Sequence, residues 1–91
     1  MTVSFITSAL DVDFQPKISI LPNPTNGYIT IRSEVLEIFN EVTILNTSGR
    51  EIIKKDFTNG MVLDMSILPQ GLYIVRLTDG KKVYYQKLIR S

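Results

Sequence analysis

The chain has 91 residues, 44% of them hydrophobic, a formal net charge of +1, and neither histidine nor cysteine. That length makes one domain. The charge gives no global pull toward nucleic acid or membrane, and the missing residue types exclude disulfides, thiolate metal sites and Ser-His-Asp or Cys-His catalysis.

No apolar run approaches the ~20 residues of a membrane span. The opening MTVSFITSAL lacks the basic flank of a signal peptide, so no export signal is read at this end. Met1–Phe14 is apolar with two acids, Asp11 and Asp13, and reads as a linker or an extra strand. Lys17–Leu21 and Tyr28–Ser33 alternate as strands around PNPTNG. Pro22 and Pro24 fix φ and remove ladder donors, so the chain bends there. Asn26-Gly27 supplies residues that tolerate positive φ. Glu34–Asn40 has helical spacing at Val35, Ile38 and Phe39 but is too short for a helix alone. It reads as a loop or single turn with its apolar residues tucked in.

Glu41–Leu45 alternates, and Asn46–Gly49 is a hairpin loop with a left-handed Gly49. Arg50–Phe57 returns, Asn59-Gly60 turns, and Met61–Met65 is a short strand. Leu68-Pro69-Gln70-Gly71 bends into Leu72–Thr78, whose Tyr73, Val75 and Leu77 face inward. Asp79-Gly80 is a hairpin signal before the closing strand Lys82–Ile89. About seven strands at roughly 8–12 residue spacing predict a two-sheet antiparallel, Ig-like β-sandwich. Ile29, Ile31, Val42, Ile44, Leu63, Tyr73, Val75 and Leu77 are expected in its core.

Little in the chain suits chemistry. The close acidic pairs, Asp11/Asp13 and Glu34/Glu37, do not sit in a calcium loop. A glycosidase pair needs a groove that a sandwich of this size does not offer. Each glycine falls at a turn rather than in a phosphate-cradling loop, and no cofactor is expected. Tyr28, Tyr73, Tyr84 and Tyr85 read as core or cross-strand residues before a sugar-stacking platform. From Gly80 to Ser91 the charges are Lys81, Lys82, Lys87 and Arg90, with no acid. They form either a solvated edge that discourages pairing or a basic docking edge. Val83, Tyr85 and Ile89 share one face of the last strand, Tyr84 and Leu88 the other. Its end, Lys87–Ser91, is expected to expose a backbone edge for strand addition and to contribute little to the core.

Four stretches in order carry a resemblance: PNPTNG at Pro22–Gly27, LNTSGREI at Leu45–Ile52, LDMSILPQGLYIVRL at Leu63–Leu77, and the closing KKVYYQKLIRS. Together they resemble the C-terminal sorting domain (type A) of cargo proteins of the type IX secretion system of Bacteroidota, over about residues 18–91. Leu21 stands where an aromatic residue is common, and Leu45-Asn46 where Tyr-Asp is frequent. The resemblance implies residues 1–16 as a linker or extra strand from an upstream passenger and 17–91 as the sorting domain.

It further implies a seven-stranded Ig-like sandwich that is a substrate and address label, not an enzyme. The outer-membrane type IX translocon would recognise it, and a sortase-like cysteine protease would typically remove it and join the N-terminal passenger to an anionic surface lipopolysaccharide. The domain would pass through the periplasm to the cell surface or medium. No nucleic acid and no membrane span are implied, and a dimer of the isolated domain stays open. Lys87, Leu88, Ile89 and Arg90 are the candidate recognition residues. Pro22, Asn23, Pro24, Gly27, Gly49, Arg50, Pro69 and Gly71 are the motif turns. The rival reading is an Ig-like adhesion or carbohydrate-binding module of a surface protein. A label must lie at the extreme C-terminus of its precursor, and a sequence ending on KLIRS is expected to be the label.

Overall fold

Apolar residues recur at every second position of the strands, which places them on one face of each sheet. The computed structural model describes residues 18–34 and 39–91. Among them the chain forms seven strands: β1 (Ile18–Leu21), β2 (Tyr28–Ser33), β3 (Glu41–Leu45), β4 (Glu51–Asp56), β5 (Met61–Asp64), β6 (Gly71–Thr78) and β7 (Val83–Arg90). They make two antiparallel sheets, ordered β1-β2-β5 and β4-β3-β6-β7. The all-β, Ig-like sandwich expected from the turn spacing is therefore present. Compared with the constant-type immunoglobulin arrangement, β4 lies beside β3 rather than in the opposite sheet.

One sheet sends Ile20, Ile29, Ile31 and Leu63 inward, with Met65 just past β5. The other contributes Val42, Ile44, Tyr73, Val75, Leu77 and Leu88, and Phe39 and Leu68 close the cluster from the connections. Every residue expected in the core is buried. Strand limits shift slightly: β4 stops short of Arg50 and Phe57, β6 begins at Gly71, and β7 runs on to Arg90. Phe39 is tucked in as expected. The expectations for Met1–Phe14, Lys17 and Val35–Ile38 lie outside the described residues.

Gly49 adopts φ 85° in the β3–β4 loop, as the hairpin reading requires. Gly27 does not: its φ is outside the left-handed region. The Thr25 side chain shapes that bend instead, its Oγ1 accepting the Gly27 N–H at 3.1 Å and donating to the Tyr28 carbonyl at 2.8 Å.

The registers decide which loops share an end. Leu21 pairs with Thr30 and Tyr28 with Asp64. Leu45 lies opposite Ile74, and Gly71 opposite Arg90. A parallel bridge between Thr25 and Arg90 aligns the two sheets. The β1–β2 bend, the β3–β4 hairpin, the β5–β6 connection and the end of β7 thus gather at one end, here the distal end. Ile18, paired with Ser33, starts the described chain at the opposite end.

Val75 is completely buried at the centre of β6. Val75→Ala should cost about 2–3 kcal/mol through lost burial and a residual cavity. Equilibrium urea unfolding checks this, with the midpoint falling and the m-value unchanged.

Candidate functional site

The distal end is built around a strap. After β1 the chain passes through cis bonds at Leu21–Pro22 and Asn23–Pro24 and leaves its own sheet. It then lies along the outer edge of β7. The Asn23 amide donates from Nδ2 to the Lys87 carbonyl and accepts the Ile89 N–H at Oδ1, both at 3.0 Å. The Thr25 N–H donates to the Ile89 carbonyl, and the Ser91 N–H to the Thr25 carbonyl, both at 2.8 Å. Prolines cannot supply ladder donors, so the side chain of the residue between them takes that part. Thr25 is fully buried beneath the strap.

The β5–β6 connection joins the same assembly. The Met65 N–H donates to the Gly27 carbonyl. Arg90 shares the inner face of β7 with Leu88, and its guanidinium reaches the other sheet, donating to the carbonyls of Met65 at 3.1 Å and Ser66 at 3.2 Å. It also donates to the Ser91 carbonyl. Asp64 Oδ1 accepts both the N–H and the hydroxyl of Ser66. The Ser66 hydroxyl, then its amide, hold the Asp64 carboxyl below the usual carboxylate range. Within Leu68–Tyr73 the Tyr73 hydroxyl donates to the Pro69 carbonyl at 2.7 Å. This is a tyrosine corner, in which a buried phenol satisfies its hydroxyl on the preceding bend. In the β3–β4 loop Asn46 Oδ1 accepts the N–H groups of Ser48 and Arg50. Pro22–Gly27, Leu45–Ile52, the first half of Leu63–Leu77 and Lys87–Ser91 therefore stand at one end of the sandwich.

A family model described as "Secretion system C-terminal sorting domain" matches residues 19–91. The chain belongs to that family. No curated protein matches it. The family is one of type IX sorting signals, not of catalysts. Membership implies the type IX machinery, an attached passenger, and secretion toward the outer surface. Among the described residues no group of His, Cys, Asp or Glu is arranged to hold a metal.

The sorting domain divides the expected recognition residues. Lys87 and Ile89 are exposed on the outer face of β7, whereas Leu88 is a core residue with no exposure. Arg90 is partly buried and spans the two sheets. The expectation that Lys87–Ser91 presents an open backbone edge is not met, because Asn23 and Thr25 occupy it. The expectation that these residues matter little to the core fails at Leu88. Among the motif turns, Pro22, Asn23, Pro24, Gly27, Pro69 and Gly71 adjoin the strap or the bend that supports it. Gly49 and Arg50 sit at the same end on the neighbouring hairpin.

Sequence reasoning missed the strap and the Arg90 bridge. Strand parity already put Arg90 on the face of Leu88 and Tyr84. No local pattern announced Asn23, whose partners lie 64 and 66 residues away.

The tyrosines form no platform. Tyr73 is buried and Tyr84 half-buried, while exposed Tyr28 and Tyr85 belong to outer faces of different sheets. On the outer face of the four-stranded sheet, Arg76 bonds Glu51 at 2.8 Å. That bond, followed by the charge of Lys54, holds the Glu51 carboxyl low.

Asn23→Ala should destabilise the domain by about 1–2 kcal/mol, since two backbone groups lose their partner. Hydrogen exchange at the Ile89 amide should accelerate more than at Tyr73. Deleting Lys87–Ser91 should abolish cooperative thermal unfolding, because it removes Leu88, Arg90 and every strap partner. A truncated chain melting like its parent would show the strap to be dispensable. The depressed Asp64 carboxyl contributes stability above its unfolded-state value, and that stability is lost as pH falls through the lower folded-state value. The melting temperature should therefore decline below about pH 4, less steeply in Asp64→Asn.

Proposed function

We propose that the distal end is the surface by which the outer-membrane type IX translocon recognises this domain. One observation carries the reading: stretches far apart in sequence, Pro22–Gly27, Leu45–Ile52, the first half of Leu63–Leu77 and Lys87–Ser91, are folded to a single end. Lys87 and Ile89 offer exposed side chains there, while Leu88 and Arg90 hold the strand that presents them. Residues 1–16 are the connection to the passenger and 17–91 the sorting domain. The described chain starts at Ile18, opposite the distal end, so an upstream passenger would leave that end clear. In this reading the domain crosses the periplasm folded and is recognised at the outer membrane. A sortase-like cysteine protease then cuts it away, leaving the passenger on the surface or in the medium.

Fusing the chain to a periplasmic reporter in a type IX-competent host tests this. The reporter should reach the surface or medium, and its mass should show loss of the domain. Lys87→Gln combined with Ile89→Ser should lower export at least several-fold while the melting temperature stays near that of the parent. A folded, stable fusion retained in the periplasm would overturn the reading and favour the binding module.

A further inference from the structure

The strap covers only part of the β7 edge. Successive residues of a strand send their backbone groups to opposite sides. Even-numbered positions face β6, as when the Asp79 N–H meets the Lys82 carbonyl across the hairpin. Odd-numbered positions face outward, where Lys87 and Ile89 meet Asn23 and Thr25. Val83 and Tyr85 face the same way, and β7 is the last strand of its sheet. Among the described residues, no strand or strap reaches their outer backbone groups. The open stretch, Val83 to the Lys87 N–H, is about 13 Å long at ordinary strand rise.

We propose that this open half of the β7 edge receives an extended, acidic strand of a partner protein by strand addition. The backbone supplies the outward-facing donors and acceptors. The charge selects the partner: Gly80–Ser91 contains no acid, and Lys81 and Lys87 flank the stretch with exposed side chains. The Asp79 carboxylate is already taken by the Lys81 and Lys82 amides at 2.8 and 2.7 Å. The edge of β4 is different, because it carries Glu51 and Asp56 along with Lys54 and Lys55, and Lys54 lies 3.8 Å from Glu41. The lysines lie at the ends of the open stretch, and Val83, Tyr84, Tyr85 and Gln86 between them form an uncharged run of mostly strand-forming residues. The inference rests on the sorting reading only in supposing that the domain meets a partner.

The test uses the full chain, isotopically labelled, and an end-blocked hexapeptide of alternating Val and Glu, with a Val–Lys hexapeptide as control. The Val–Glu peptide should shift the Val83, Tyr85 and Lys87 amide signals, slow exchange at Val83 and Tyr85 about tenfold at saturation, and bind more weakly as salt rises. Tyr85→Pro removes one outward N–H but leaves the even-numbered ladder to β6 intact, and should abolish binding. If that variant does not fold, Lys81→Glu with Lys87→Glu decides, since it should transfer binding to the Val–Lys peptide.

Equal binding of both peptides by the parent, shifts confined to β4, or unchanged exchange at Val83 and Tyr85 would overturn the proposal. So would protection of those amides before any peptide is added, which would make the occupant this chain itself. Concentration-dependent protection without peptide would make it a second copy. A chain that is exported yet ignores the acidic strand refutes this proposal alone.

Discussion

The Asn23 amide does for β7 what a neighbouring strand would do with its backbone. It accepts one main-chain N–H and donates to one main-chain carbonyl, two residues apart on the same edge. The rest of the distal end depends on that substitution. With the edge of β7 held, Leu88 is pinned against the opposite sheet and Arg90 can reach the Met65 and Ser66 carbonyls. With Thr25 drawn under the strap, its hydroxyl shapes the bend into β2. One side chain thereby couples the first described strand to the last.

The device suits a small chain without cysteine. A domain of this size buries a modest fraction of its surface, and two stacked sheets expose edges that invite unwanted pairing. Disulfides are one remedy. Here asparagine side chains serve at two places, for Asn59 repeats the pattern at the other end. Its Oδ1 accepts the Ser33 N–H at 2.7 Å and its Nδ2 donates to the Ser33 carbonyl at 2.9 Å. Both asparagines follow or adjoin a turn and both close a strand end with a paired donor and acceptor. The core fixes which faces meet, and these amides fix where the sheets stop.

Most of the fold could be read from the chain, because its determinants are periodic. Alternation in Leu72–Thr78 and Glu41–Leu45 assigned the inward faces correctly, and the turn residues marked the hairpins. The motif stretches were also legible one by one. Their convergence was not, since it is a property of register and of strand order. The PNPTNG bend shows the limit most clearly. Its prolines announced a break in the ladder, but Asn26-Gly27 allowed a left-handed glycine where the structure uses the Thr25 hydroxyl. The open edge expected at Lys87–Ser91 failed for the same reason. A bond between residues 66 apart leaves no trace in local spacing.

That separation has a bearing on timing. Asn23 and Thr25 are synthesised long before their partners, and a contact closing so long a loop forms late, once the intervening strands have ordered. A polypeptide interrupted before Leu88 carries the whole PNPTNG sequence but has nothing for it to hold. The distal end therefore assembles only once β7 is present. Premature termination before Leu88 would leave the earlier stretches present and unassembled. A receptor that engages the assembled end would pass over such chains without needing to inspect the passenger.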